Sequence, residues 1–140
     1  MEMKAGEGLS GGCFCGHVRY RAGALLYPPT LCHCESCRRV AGAHIVGWVT
    51  FAADTLVFTG SQPVEFSSSP GVTRSFCGKC GTPLTYRREG RSIEIDVMLA
   101  TLDRAAELAP ADHIYMADAL PWDRPGDGLP QHLGTRRSAI

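Results

Sequence analysis

The chain lacks an excess of charge of either sign: 14 lysines and arginines face 14 aspartates and glutamates. No global field therefore recruits nucleic acid or anionic lipid, and neither is expected as a partner. It also lacks any apolar run approaching membrane-spanning length, which argues against a membrane protein. The opening MEMKAGEGLSGG has no apolar core of the kind a secretory leader needs, so a cytoplasmic, reducing setting is expected. Internal repeats, linkers and low-complexity stretches are missing too. Finally, the cysteine count of 7 is not even. An odd number in a reducing compartment reads poorly as a disulfide framework and better as metal ligation.

What is present fits one globular domain over residues 1–140, with its core at about 11–132 and frayed termini. The hydrophobic fraction of 44% and charged fraction of 20% are ordinary for such a domain. Short β-rich runs recur at HVRYRA (17–22), IVGWVTF (45–51), TLVFTG (55–60), PVEFSSS (63–69), VTRSFC (72–77), PLTYRR (83–88) and SIEIDVM (92–98). Turn residues separate them, among them Gly60, Gly71 and Glu89-Gly90. The expectation is a mainly β fold of antiparallel sheets with at most one short helix. TLDRAAEL (101–108) is the helical candidate, with Thr101 as N-cap and Pro110 past its end. The Pro/Gly-rich segment 119–132 is expected to pack on the sheet through Trp122 and Leu129, and GTRRSAI to form a polar tail.

The cysteines fall into three groups: Cys13-x-Cys15, Cys32-x-Cys34-x2-Cys37 and Cys77-x2-Cys80. In an extended segment, residues i and i+2 share a face, so Cys13 and Cys15 can aim two sulfurs at one point. In FCGKCGTP, Gly78 and Gly81 permit a tight knuckle whose amides donate to sulfur. Cys13, Cys15, Cys77 and Cys80 then complete a closed tetrahedral site suited to structural zinc. Its binding free energy would be folding free energy, on the order of 10 kcal/mol. The remaining triad, Cys32, Cys34 and Cys37, has no fourth cysteine. Three protein ligands and an open position are the pattern of catalytic zinc; the alternatives are a closed site completed by His33 or His44, and metal-free thiols.

Three thiolates around a zinc dication leave a formal charge of minus one, so such a metal is a poor Lewis acid and a good holder of a substrate thiolate. Addition to, or elimination from, a carbon next to sulfur is the natural chemistry. Arg38 and Arg39 directly follow the triad and can offset its charge, grip a substrate carboxylate or sit in solvent. His44 can move a proton near neutral pH, or be a partly buried structural residue beside Ala43, Ile45 and Val46. Trp48 and Phe51 read as core. Packing is the expected role of His113 and Trp122, while His132, Arg136 and Arg137 are expected in solvent. Asp96 is either a buried acceptor or an exposed strand residue.

GGCFCGHVRYRA, CHCESCRRVAGAHIVGWVTF, FCGKCGTPL and HIYMADALPWDRPGDGLP together resemble the glutathione-dependent formaldehyde-activating enzyme (GFA) family, which also includes the domain of centromere protein V. The resemblance runs from about Gly11 to Gln131 and includes all seven cysteines in order and spacing. It implies a β-tent fold. It also implies structural zinc on Cys13, Cys15, Cys77 and Cys80, and catalytic zinc on Cys32, Cys34 and Cys37. The implied activity is that of a carbon–sulfur lyase, joining glutathione and formaldehyde into S-(hydroxymethyl)glutathione, with His44 or water as general acid. A non-catalytic zinc-stabilised protein-binding module and a thiol redox sensor are the competing readings.

Overall fold

Alternation in the first β-rich run buries Val18, Tyr20 and Ala22 and turns His17, Arg19 and Arg21 outward. That run forms β2 (Arg19–Ala22), which pairs with β1 (Leu9–Gly12) on one side and β5 (Val57–Phe58) on the other in a three-stranded sheet. The computed structural model describes residues 8–136. A second, seven-stranded sheet contains β3 (Thr30–Cys32), β4 (Val46–Ala52), β6 (Val64–Ser69), β7 (Val72–Phe76), β8 (Pro83–Arg88), β9 (Glu94–Met98) and β10 (Asp112–Ile114). Its strand order is β10-β3-β4-β9-β8-β7-β6.

Pairing is antiparallel throughout except at β10, which adds to β3 in parallel, with Ile114 opposite Cys32. The fold is mainly β with one helix, as expected. The main core lies between the two sheets, where Leu9, Val18 and Tyr20 meet Val49, Phe51, Leu84, Ile95 and Val97. Strand β4 has two buried faces. Val49 and Phe51 enter that core, whereas Val46 and Trp48 join Cys32, Cys37 and Met98 in a second cluster. Trp48 and Phe51 are thus both buried, as their run suggests.

The helix is not where helical propensity places it. Residues 101–108 form no α-helix: Leu99–Thr101 and Ala105–Glu107 are separate 3₁₀ turns, with Leu102 extended between them and bridged to Gly11. Leu102 and Leu108 are both buried, yet at six residues apart they would face different sides of an α-helix. Thr101 caps nothing; its hydroxyl donates to the Met98 carbonyl and pairs with Tyr20 at 2.7 Å. The actual helix, α1 (Glu35–Ala41), runs through the cysteine triad and ends at Gly42 in the left-handed region. Its N-cap is Cys34, whose sulfur accepts from the Cys37 amide at 3.3 Å.

Strands β1, β3 and β10 are three or four residues long and leave little sequence pattern. In TLVFTG only Val57 and Phe58 pair, because Ala53–Thr55 is taken by a 3₁₀ turn. In the Pro/Gly-rich segment, Leu129 is half-buried, but Trp122 is 68% exposed and lies over His44 rather than on the sheet. His132 and Arg136 are not free in solvent: the His132 imidazole is near Asp112, and Arg136 donates to Asp112 Oδ1 at 2.7 Å and to the Pro28 carbonyl at 2.8 Å. Residues 1–7 and 137–140, including Arg137 and most of both expected frayed ends, lie outside the described residues.

Candidate metal centres

Cys13 and Cys15 converge through a turn, not along a strand. The Gly16 amide donates to the Cys13 carbonyl, and Gly16 takes φ 81°, open to it because it has no Cβ. Across the structure, the β7–β8 connection folds into a knuckle in which the amides of Lys79 and Cys80 donate to Cys77 Sγ at 3.3 and 3.4 Å. Gly81, at φ 85°, closes that turn. The Phe14 amide donates to Thr82 Oγ1 at 3.1 Å and fastens one loop to the other. Ligand atoms of Cys13, Cys15, Cys77 and Cys80 consequently lie within 4.8 Å of one another.

Sulfurs 2.3 Å from a tetrahedral centre are about 3.8 Å apart. The observed separations are 3.6 Å for Cys13–Cys15 and 3.9 Å for Cys15–Cys77, and the cysteines are not disulfide-bonded. Four sulfurs at that spacing could hold zinc. Against the opposing effect of burial, amide donation from Val18 lowers the Cys13 thiol. The Thr82 hydroxyl and amide hold the Cys80 thiol down to about 5.

The second group is built around β3 and α1. Cys32 ends the strand, Cys34 caps the helix and Cys37 sits in its first turn; their ligand atoms also lie within 4.8 Å of one another. Among the described residues no fourth ligand joins them. His33 turns to the opposite side of β3, fully buried, where its Nε2 meets His113 Nδ1 at 2.8 Å. His44, rather than packing inward, is half-exposed and bonds Asp123 Oδ2 through Nδ1 at 2.7 Å. Asp123 Oδ2 also stands 3.8 Å from His33 Nδ1, and Asp127 accepts from His113 Nε2 at 2.7 Å. These imidazoles and carboxylates bind the C-terminal segment to the back of β3. His113 thus packs, as expected, but with polar partners.

The cation at the triad is not one of those adjacent in sequence. Arg39 pairs with Glu35 in solvent, and Arg38 reaches the Asp118 carbonyl. Arg74 of β7 instead lies 4% exposed, with Nη2 3.8 Å and Nη1 4.0 Å from Cys37 Sγ. Its guanidinium also covers the Tyr86 ring at 4.9 Å, and Nε donates to Ser68 Oγ. Donation from Cys32 and Cys34 holds the Cys37 thiol down to about 3; the Arg74 cation adds to the effect and burial opposes it. Sequence reading missed Arg74. The available signal was its place on one β7 face with Val72 and Phe76, a charge at an apolar position.

The triad opens onto a cavity of about 520 Å³, walled near the sulfurs by Trp48, Arg74, Ile114 and Tyr115. Tyr115 is the only non-glycine residue with positive φ among the described residues. Farther along β8 and β9, the cavity is lined by Tyr27, Arg88, Arg91, Glu94 and Asp96. Asp96 is therefore a cavity residue: it accepts from Thr50 Oγ1 at 2.6 Å, stands 3.6 Å from Arg91, and burial pushes its carboxyl up.

The model of the family described as glutathione-dependent formaldehyde-activating enzyme matches residues 8–118. A Halomonas elongata protein bearing the same family name is 35% identical over 86 residues. That match covers 54% of each chain, so this chain spans about half the length of that relative. A crystal structure of a Rhodobacter sphaeroides protein superposes with a TM-score of 0.58, covering 88% of this chain and 98% of the other at 20% identity. It shows the same fold.

Proposed function

The chain belongs to the glutathione-dependent formaldehyde-activating enzyme family, and on that premise we propose that it is a zinc-dependent enzyme of carbon–sulfur bond chemistry. In the forward direction it would join a small thiol, glutathione by family, to formaldehyde. The observation that supports this most is the three-sulfur group with no fourth ligand among the described residues, placed at one end of a cavity of about 520 Å³.

Cys32, Cys34 and Cys37 would hold the zinc of the reaction, and Cys13, Cys15, Cys77 and Cys80 a structural one; the sulfur spacing of the latter group fits a tetrahedral centre. Zinc bound at the triad would supply a position where a thiol sits deprotonated at neutral pH. Arg74 offsets the negative charge of the thiolates from 3.8 Å away and fixes the orientation of Cys37. Trp48 and Ile114 keep the sulfur end of the cavity apolar. The substrate sulfur forms a bond to the aldehyde carbon as the carbonyl π pair moves onto oxygen, which takes a proton. His44 lies outside the cavity lining, which favours water over it as the source of that proton. The reverse sequence is the lyase direction.

Native mass spectrometry with and without glutathione tests this reading. Two zinc ions per chain, with a glutathione adduct on the more labile one, is the expected result. One tightly held zinc, indifferent to glutathione, would overturn it.

A further inference from the structure

The far end of the cavity carries charges of both signs, and most of them are already engaged. Glu94 accepts from Tyr27 and from Arg91, so both of its oxygens are in use. Two groups keep hydrogen-bonding capacity to spare. Arg88 follows Tyr86 by two residues on β8, hence on the same face, and its side chain makes no hydrogen bond or close ion pair with any described residue, although its charge is felt by Glu94 and Asp96. Asp96 receives Thr50 and faces Arg91 through Oδ1, leaving Oδ2 without a partner among the described residues. Asp96 is paired in register with Tyr86, so the free cation and the free carboxylate oxygen belong to one patch of wall.

We propose that this patch is a subsite for the α-amino-acid head of the thiol substrate, with Arg88 taking its carboxylate and Asp96 its ammonium. The assignment rests on the thiol-binding reading of the triad. A ligand carrying only a carboxylate would satisfy Arg88 but bring like charge against Asp96 and Glu94. A plain amine would do the reverse. A zwitterion satisfies both, and Arg with carboxylate can be bidentate.

Reach agrees with this. Arg74 bridges the interval, with its guanidinium 3.8 Å from Cys37 Sγ on one side and 4.9 Å from the Tyr86 ring on the other. Asp96 stands one strand beyond Tyr86, about 4.8 Å in the pairing direction. The subsite is therefore on the order of 10 Å from the sulfurs. In glutathione, seven bonds separate the sulfur from the glutamyl α-carbon, roughly 9 Å when extended. Its glycine end carries a carboxylate and no ammonium, so the glutamyl end belongs here.

Calorimetric titration of the zinc-loaded protein with glutathione, γ-glutamylcysteine and cysteinylglycine separates the two ends of the tripeptide. γ-Glutamylcysteine is expected to bind within about threefold of glutathione, and cysteinylglycine at least about tenfold more weakly, since hydrogen bonds to two charged groups are lost. Arg88→Gln, at an exposed position, should leave the melting temperature unchanged and abolish the preference for the glutamyl thiols, with cysteinylglycine unaffected. Cysteinylglycine binding as tightly as glutathione, or a glutamyl preference that survives both Arg88→Gln and Asp96→Asn, would overturn the subsite and leave the thiol reading intact. Failure of all three thiols to bind would sink the reading and the subsite together.

Discussion

Among the described residues Arg74 is a buried cation without a carboxylate partner: sulfur, a hydroxyl and an aromatic face surround it. Burying a guanidinium is costly unless an anion answers it, and among the described residues the triad is the group placed to do so. Arg74→Met should therefore weaken zinc at the triad by roughly tenfold to a hundredfold while leaving the four-cysteine site alone, as chelator competition would show. Arg74→Lys should recover part of the loss. Asp96 makes the opposite case. Burial raises its carboxyl above the usual range, with Thr50 and Arg91 opposing and Glu94 adding, so its folded-state value exceeds the unfolded one. Such a group favours folding below the unfolded value near 3.9 and loses that contribution as pH rises through the folded value. Asp96→Asn should raise the melting temperature at pH 7, and the gain should shrink toward pH 4. At this scale the seven cysteines were legible because their spacing is local. Arg74 was not, because its meaning depends on a strand pairing that brings residue 74 to residue 37.

Among the elements, the knuckle after β7 and the turn after β1 do different work from α1. The first two join distant parts of the chain through four sulfurs, whereas the triad is contained within β3 and one helical turn. Cys77→Ser should unfold or precipitate the protein. Cys34→Ser should leave it folded with one zinc bound and without activity, because serine is itself a good N-cap and preserves the start of α1. Similar thermal melts for the two variants would contradict this division. The strands longer than four residues were readable from alternation and turn residues. The helix was not, since a cysteine cap is not a recognised start signal, and the better-looking helical segment was pulled apart by burying Leu102 and Leu108 on different turns. The i, i+2 argument for Cys13 and Cys15 reached the right convergence through the wrong local geometry.

For the molecule as a whole, balanced composition and period-two patterning were enough to reach a mainly β fold, and the superposition on a protein with only 20% identity shows that the architecture tolerates wide sequence change. Among the described residues no helix is long and apolar enough to cross a membrane. Less legible was the C-terminal segment. Its partners, His33, His113 and Asp112, are buried polar groups whose contacts span most of the chain, and no local pattern announces them.

The parallel addition of β10 to β3 has a consequence for how the chain is made. During synthesis, β3 carries Cys32 and leads into the helical turn with the other two triad cysteines, but stands as a bare sheet edge until residues 112–114 leave the ribosome. All four cysteines of the other group are present once residue 80 has emerged, and those of the triad already at residue 37. Vectorial synthesis thus separates the two groups: the triad sulfurs emerge first but stay uncovered on one flank until residues 112–114 arrive, whereas the four-cysteine group can close in between.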